Sequence, residues 1–325
     1  MKSRLTKLVG IALAVTLFGF LAGCSTPDDE AQSSAPYTPV TVNHEFGSTQ
    51  ITQRPTRVVT LSTSWTDTLA ALDIPITAQF GEQGYSGKDN KFPWTPAHGG
   101  ETIIVKSMAD MDITKLAQLN PDLILAGYVG QKETYDRLSK LAPTIPVMKK
   151  GATVDTWEDI ATTTGKIFGE QEQATKLVSD TNAKIEKFKK DNAAAMGKTF
   201  VFAQFQPTGG IGAVNNAEKD PSAGLLTQLG FKLYPPLAAQ NKGGPTRSII
   251  SSERVDLLNS DLLIAWPLAA NFDFNKIPGW NNLTAVRNGT VLEVSNDNVP
   301  AFGVPSAPSV SYVIDLLTPV AQKLA

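Results

Sequence analysis

Cysteine is almost absent. The 325-residue chain carries one, Cys24, so it can form no internal disulfide and must be stabilised by an apolar core. Histidine is nearly as scarce, with only His44 and His98. An exported hydrolase would need a nucleophile beside a base, yet no G-x-S-x-G occurs and neither histidine lies at the end of a recurring strand pattern. A zinc or manganese receptor needs several converging His and carboxylate ligands, and two histidines 54 residues apart argue against one. There is no basic excess either: 29 Lys and Arg stand against 31 Asp and Glu, so a nucleic-acid-binding face is not indicated. Long apolar runs are also lacking. The mostly apolar stretch Leu8–Phe20 falls short of the ~20 residues that span a bilayer.

That stretch follows Lys2, Arg4 and Lys7 and precedes small residues, the pattern of a secretory signal peptide. Leu21-Ala22-Gly23-Cys24 resembles the bacterial lipobox, which implies a signal peptide over 1–23 and an acylated, palmitate-type Cys24 as the first mature residue. Residues 24–39 are rich in Ser, Pro, Asp and Gln and read as a disordered tether. Such a coil spans roughly 20 Å. Losing three basic residues from a chain of net charge −2 leaves −5 on the mature part. What remains is long enough for two domains of ordinary size.

Two segments repeat. "KLAQLNPDLILAGY" (115–128) and "RVDLLNSDLLIAWP" (254–267) share Leu119/Leu258, Asn120/Asn259, Asp122/Asp261, Leu123/Leu262 and Ala126/Ala265 at one constant offset. Each reads as a short helix followed by a buried strand. "RVVTL" (57–61) and "TFVFAQF" (199–205) also read as strands, each followed by a polar loop and a helix ending in "LAALDI" or "LLTQLGF". Strand and helix alternating in both halves predict βαβ units. The fold class is α/β: two similar lobes, 40–169 and 197–325, each a mainly parallel sheet flanked by helices. Between them, 170–196 predicts one long helix with Ala174, Leu177, Val178, Thr181, Ile185 and Phe188 on its apolar face, ending at Gly197.

Taken in order, "RPTRVVTLSTSWTDTLAALDIPI", "LAQLNPDLILAGYVGQKETYDRLSKLAPTIPV", "TWEDIATTTGKIFG", "IISSERVDLLNSDLLIAW", "GWNNLTAVRNGTVLEV" and "PSVSYVIDLLTPVAQKL" carry a resemblance. The chain resembles the ferric-siderophore-binding lipoproteins, the helix-linked substrate receptors of ABC importers. The resemblance covers about residue 54 to the C-terminus. It implies a monomeric, lipid-anchored receptor on the extracytoplasmic face of the cell membrane, without enzymatic activity or a directly bound metal. Its ligand would be a ferric siderophore, held in an inter-lobe cleft and delivered to an ABC permease with its cytoplasmic ATPase for iron uptake.

Ligands of open α/β sheets lie beyond the carboxyl ends of the strands. That rule selects Ser64 and Trp65 after the first strand, Tyr128 after "DLILA", Gln206 with the Gly-rich turn after "TFVFAQF", and Trp266 after "DLLIA". Tyr85 and Trp94 belong to a polar, Gly-containing insertion that suits a cleft rim, and aromatics with one polar edge suit an amphipathic chelate. Trp280 reads as packing under a surface loop. Arg247 is the candidate cation for an anionic ligand, with a solvated loop charge as the alternative. The arginine usual in the family before "LLTQLGF" is missing, since the chain reads Asp220-Pro221-Ser222-Ala223; this favours a hydroxamate or mixed chelate over a catecholate. By the same resemblance Glu253 docks onto a permease arginine. The equivalent first-lobe position is Thr114, leaving Asp110 or Asp112 as substitutes, or as plain helix-start charges. Haem or cobalamin is the competing ligand, with Tyr85 or Tyr128 available as an axial group for haem.

Overall fold

Short β-rich apolar runs become central strands, and the longer amphipathic segments cover them. The computed structural model describes residues 36–88, 91–109 and 111–324. The expected signal peptide, Cys24, most of the tether and Asp110 lie outside the described residues.

The first lobe opens with an antiparallel hairpin of β1 (Val40–His44) and β2 (Gly47–Ile51). There follow β3 (Val58–Thr60), α1 (Thr63–Ala71), β4 (Ala78–Glu82), β5 (Glu101–Val105) and α2 (Ile113–Gln118). Then come β6 (Leu123–Leu125), α3 (Lys132–Leu138), β7 (Thr144–Ile145) and α4 (Trp157–Phe168). The sheet order is β5-β4-β3-β6-β7, parallel throughout. In the hairpin, Nδ1 of the buried His44 accepts from the Phe46 N–H, so its proton sits on Nε2 and faces Thr49 Oγ1 at 3.0 Å. Thr49 in turn donates to the Thr144 carbonyl. His44 thus pins the hairpin to the sheet as a neutral ring, its pKa lowered by desolvation.

The connecting helix α5 (Gln171–Asp191) has 21 residues, about 32 Å of rise. It buries Ala174, Thr181, Ile185 and Phe188, all on the face the periodicity selects. It stops short of 196 because Asn192 leaves helical geometry and turns its amide onto the Phe188 carbonyl; a 3-10 turn, Ala193–Ala195, follows. α4 crosses α5 closely: a Cβ on Gly165 would sit 2.6 Å from the Ala174 Cβ.

The second lobe contains β8 (Thr199–Phe205), β9 (Gly210–Val214), α6 (Pro221–Gln228), β10 (Lys232–Leu233), α7 (Pro235–Ala238) and β11 (Arg247–Ser251). It continues with β12 (Leu262–Pro267), α8 (Thr284–Arg287), β13 (Val291–Glu293), α9 (Pro300–Gly303) and α10 (Ala307–Ala321). Its order is β11-β9-β8-β12-β13, with β10 beside the start of β8. β8, β10, β12 and β13 run parallel, but β9 and β11 are antiparallel additions. The segment read as loop after "TFVFAQF" is therefore partly strand, and this sheet is mixed. The Gly-rich stretch reverses the chain through Gly209, at φ +91°, and returns it along β8.

The internal repeat has a structural meaning. Asp122 accepts from the Thr56 and Arg57 backbone N–H groups at the entry to β3. Asp261, its repeat partner, accepts from the Thr199 N–H and hydroxyl at the entry to β8. Each carboxylate fixes the start of the neighbouring strand. Although partial burial opposes ionisation, these donors hold both pKa values below the usual range.

The lobes share a core. Trp94 and Trp157, from the first half of the chain, belong to the apolar cluster built by Phe200, Leu226, Phe302 and Val313 of the second. The Trp157 indole also donates to Gln228 Oε1 at 3.2 Å, and Gln228 donates to Glu158 at 2.7 Å. Beside them Asp67 of α1 is fully buried. It accepts from the Trp94 indole (2.9 Å), the Thr95 hydroxyl and the hydroxyl of Ser306, the cap of α10 (2.6 Å). One carboxyl thus joins both lobes.

Desolvation pushes Asp67 up to about 6, against the opposing pull of its Ser306, Thr95 and Trp94 hydrogen bonds. Between about pH 4 and 6 the native state alone keeps this proton, so the group's contribution to stability is greatest in acid and falls as pH rises through that window. The change is on the order of 3 kcal/mol. Denaturant titrations of wild type and Asp67→Asn across pH 4–7 should show wild type gaining on the variant as pH falls. A pH-independent difference would mean that the carboxyl titrates normally.

Candidate functional site

A cavity of about 720 Å³ opens where the carboxyl ends of both sheets face each other. From the first lobe, Ser62 and Thr63 line it after β3, Gln79 and Glu82 on β4, and Tyr128 after β6. Tyr128 is presented by Gly127, which has φ +59°; a Cβ there would lie 2.5 Å from the Ser62 Cβ, so the two strand ends can approach only without a side chain. The loop after β4 adds Tyr85, Lys91, Phe92 and His98, and the second lobe adds Ser222, Arg247, Trp266 and Gly303.

Tyr85 and Trp266 meet across the cleft, edge to face, with ring centres 6.2 Å apart. The Trp266 indole donates to Asn296 Oδ1 at 2.8 Å, which fixes the ring. Arg247 stands on β11, not in a loop. Its Nε lies 3.1 Å from Asp220 Oδ2, and its guanidinium lies 5.4 Å from the centre of the Phe202 ring. Asp220 is buried and also caps α6 through the Ser222 and Ala223 N–H groups. The chain therefore has an acid at the α6 cap that holds the arginine arriving from β11. The Tyr128 phenol has its pKa raised, first by desolvation and then by the Glu82 charge, although 45% of the residue is accessible. It stays a neutral hydroxyl. His98 is shifted down by desolvation and then by Lys91, and its Nδ1 accepts from the Gly100 N–H.

Of the eight residues selected from sequence for ligand contact, Tyr85, Tyr128, Arg247 and Trp266 line this cavity. Trp65 does not. It is wholly buried in the core of the first lobe, with its indole N–H unpaired, because α1 has already begun at Thr63 and Trp65 falls on its inward face. Ser64 is buried too and pairs with the Ser62 hydroxyl. Trp94 turns from the rim into the shared core and serves Asp67. Gln206 lies at the β8–β9 turn, outside the cavity lining. Trp280 packs against Phe274 in the core, as expected for a structural residue.

Glu253 is exposed in the first turn of a 3-10 helix, Ser252–Leu258. Asp112 is the exposed N-cap of α2, accepting from the Thr114 N–H, which lowers its pKa. Sequence reasoning missed Glu82, Lys91 and His98. The signal was available: "AQFGE" is a strand, and the strand-end rule applied there points to the whole insertion that follows.

The model of the periplasmic binding protein family matches residues 58–297. A putative ABC transporter substrate-binding lipoprotein of Bacillus subtilis, YhfQ, is 25% identical over 87% of this chain and 89% of its own length. The ferric-anguibactin-binding protein FatB of Vibrio anguillarum is 26% identical over 94% of this chain and 95% of its own. The structure of Streptococcus pneumoniae PiaA in complex with ferrichrome superposes with a TM-score of 0.69, at 24% identity, covering 87% of this chain and 99% of that one. The paired sheets, the connecting helix, the cleft between the lobes and a family match over most of the chain give one conclusion: this chain belongs to the periplasmic binding protein family.

Proposed function

We propose that the protein is a lipid-anchored extracytoplasmic receptor that captures a ferric siderophore in the inter-lobe cleft and delivers it to an ABC permease for iron uptake. The observation that carries this reading is the cleft itself. It is large enough for a metal chelate, and its walls set Tyr85, Tyr128 and Trp266 around few charges. Aromatic faces bury the apolar parts of a chelator, while the tyrosine hydroxyls and Arg247 address its oxygens. Relatives named for ferric siderophores and for ABC transport support the same ligand class. Relatives named as binding proteins support binding over catalysis, and of the two histidines His44 is committed to the hairpin while His98, in the cleft, accepts from the Gly100 N–H. The chelator supplies the iron ligands, so no resident cofactor is needed. The shared core and the Asp67 contact favour a receptor that changes shape little on binding.

The mature protein, titrated with a panel of ferric siderophores, haem and cobalamin, should bind a ferric siderophore and lose tryptophan fluorescence. Trp266→Ala should weaken that binding by about 1–2 kcal/mol. Preference for haem or for unchelated iron would overturn the ligand assignment. Docking is read separately. Glu253→Ala should leave affinity within about 0.5 kcal/mol, as for an ordinary surface change, while reducing cellular uptake. Asp110 and Asp112 are the first-lobe candidates for the same role, so loss at Glu253 should leave partial transport. If affinity falls together with uptake, Glu253 acts on ligand instead. Finally, Cys24→Ala should abolish lipid labelling and leave unprocessed precursor; normal labelling would overturn Cys24 as the lipidated residue.

A further inference from the structure

Among the described residues three large apolar or aromatic side chains stand out as exposed: Tyr85, Tyr128 and Ile249. The first two line the cleft. Ile249 is 71% exposed, and a lone surface isoleucine would need no explanation. Its place in the sheet gives it one.

Register places Ile249 opposite Gly212, Gly212 opposite Gln204, and Gln204 opposite Trp266, so all four lie on one face of the second sheet. Arg247, two residues before Ile249, shares that face. Towards the amino ends of the parallel strands the same face carries Phe200, Phe202, Leu262 and Ile264 and is buried in the core. Beyond Phe202 the burial loosens. The next row runs from half-buried Trp266, in the cleft, over half-buried Gln204 and Gly212, which is buried beside the Ile249 side chain, about 14 Å across three strand spacings to exposed Ile249 at the sheet edge.

Gly212 and Gly210 let Ile249 lie flat: their missing Cβ atoms would fall 3.6 Å from its Cδ1 and 3.9 Å from its Cγ2. The polar border of this shelf is Gln204, beside Gly212, and Gln206, whose Oε1 would lie 3.4 Å from a Cβ on Gly210. Amides flanking an apolar strip suit an amide-linked hydrocarbon chain. The cleft it adjoins has little charge to offer. Among the described lining residues the charges of Lys91 and Glu82 cancel in formal count, and Arg247 is already paired with Asp220. A tris-catecholate ferric complex is a trianion, whereas a tris-hydroxamate is neutral.

We infer that the site takes a ferric trihydroxamate whose amide-linked arm leaves the cleft past Trp266 and lies on the Gln204–Ile249 shelf. The inference rests on the receptor reading above and adds a ligand class and a second subsite to it.

The test uses the full mature chain and two chelates with the same iron centre. One is ferrioxamine B capped by acetyl on its terminal amine; the other carries an octanoylglycyl arm there. Wild type should bind the armed chelate about tenfold more tightly. Ile249→Ser should erase that margin, and so should Gly212→Val, whose Cβ meets only ordinary contacts, the nearest 3.6 Å away at Ile249 Cδ1, and raises the shelf floor. The capped chelate, which ends short of the shelf, should keep its affinity within about twofold in both variants. Equal affinity of the two chelates for wild type overturns the inference. So does an undiminished margin in Ile249→Ser; if uptake by cells falls in that case, a protein partner covers the strip instead. Ferric catecholate and ferric citrate complexes are titrated alongside. If one of these binds and neither hydroxamate does, the inference fails while the receptor reading stands; if no ferric chelate binds, both fail.

Discussion

A single buried carboxyl ties the two lobes together. Asp67 takes hydrogen bonds from Trp94 and Thr95 on one side and from the Ser306 cap of α10 on the other. Removing a carboxylate from water is costly, and it is tolerated here because three donors converge on it. The same three contacts set local structure. They turn Trp94 into the shared core, bring Thr95 to the cleft wall, and fix the start of the helix that covers the second sheet. The floor of the cavity is therefore built from residues whose positions were settled by packing, and the ligand meets a preformed surface.

Rigidity comes from the same source. Two lobes joined only by α5 could tilt about its ends. Here Trp157 is plugged into the core of the opposite lobe and Gln228 bridges back to Glu158. Large closure would have to withdraw an indole from close packing, which costs several kcal/mol. Selectivity must then be written into the walls, above all at Arg247. Its ion pair with Asp220 leaves the cleft less positive than an arginine count suggests.

The sequence made much of the fold legible, because its strongest signals were local and repeated. The Asp122 and Asp261 segments are recognisable because each performs the same task at the start of a neighbouring strand. The apolar stripe of α5 is periodic, so its buried face was readable, while its end depended on a side-chain contact from Asn192 that periodicity does not record. β9 and β11 were not legible. They are joined antiparallel, β9 beside β8 and β11 at the sheet edge, and contain glycine or polar residues, so that only pairing makes them strands. For the cleft, the rule of strand ends found the right loops but not the right faces. Tyr128 projects outward because Gly127 allows a tight approach, while Trp65 projects inward because α1 has already begun. Such choices are made by packing in three dimensions.

Trp94 and Trp157 are made early in the chain but fill a core completed by Phe302 and Val313 near its end. A polypeptide emerging amino end first therefore displays two indoles that have no resting place until α10 arrives. The first lobe cannot finish as an independent body, and its half-built surface is apolar at the place where the second must dock. Aggregation is the hazard of such an intermediate, and synthesis of the final helix is the event that ends it.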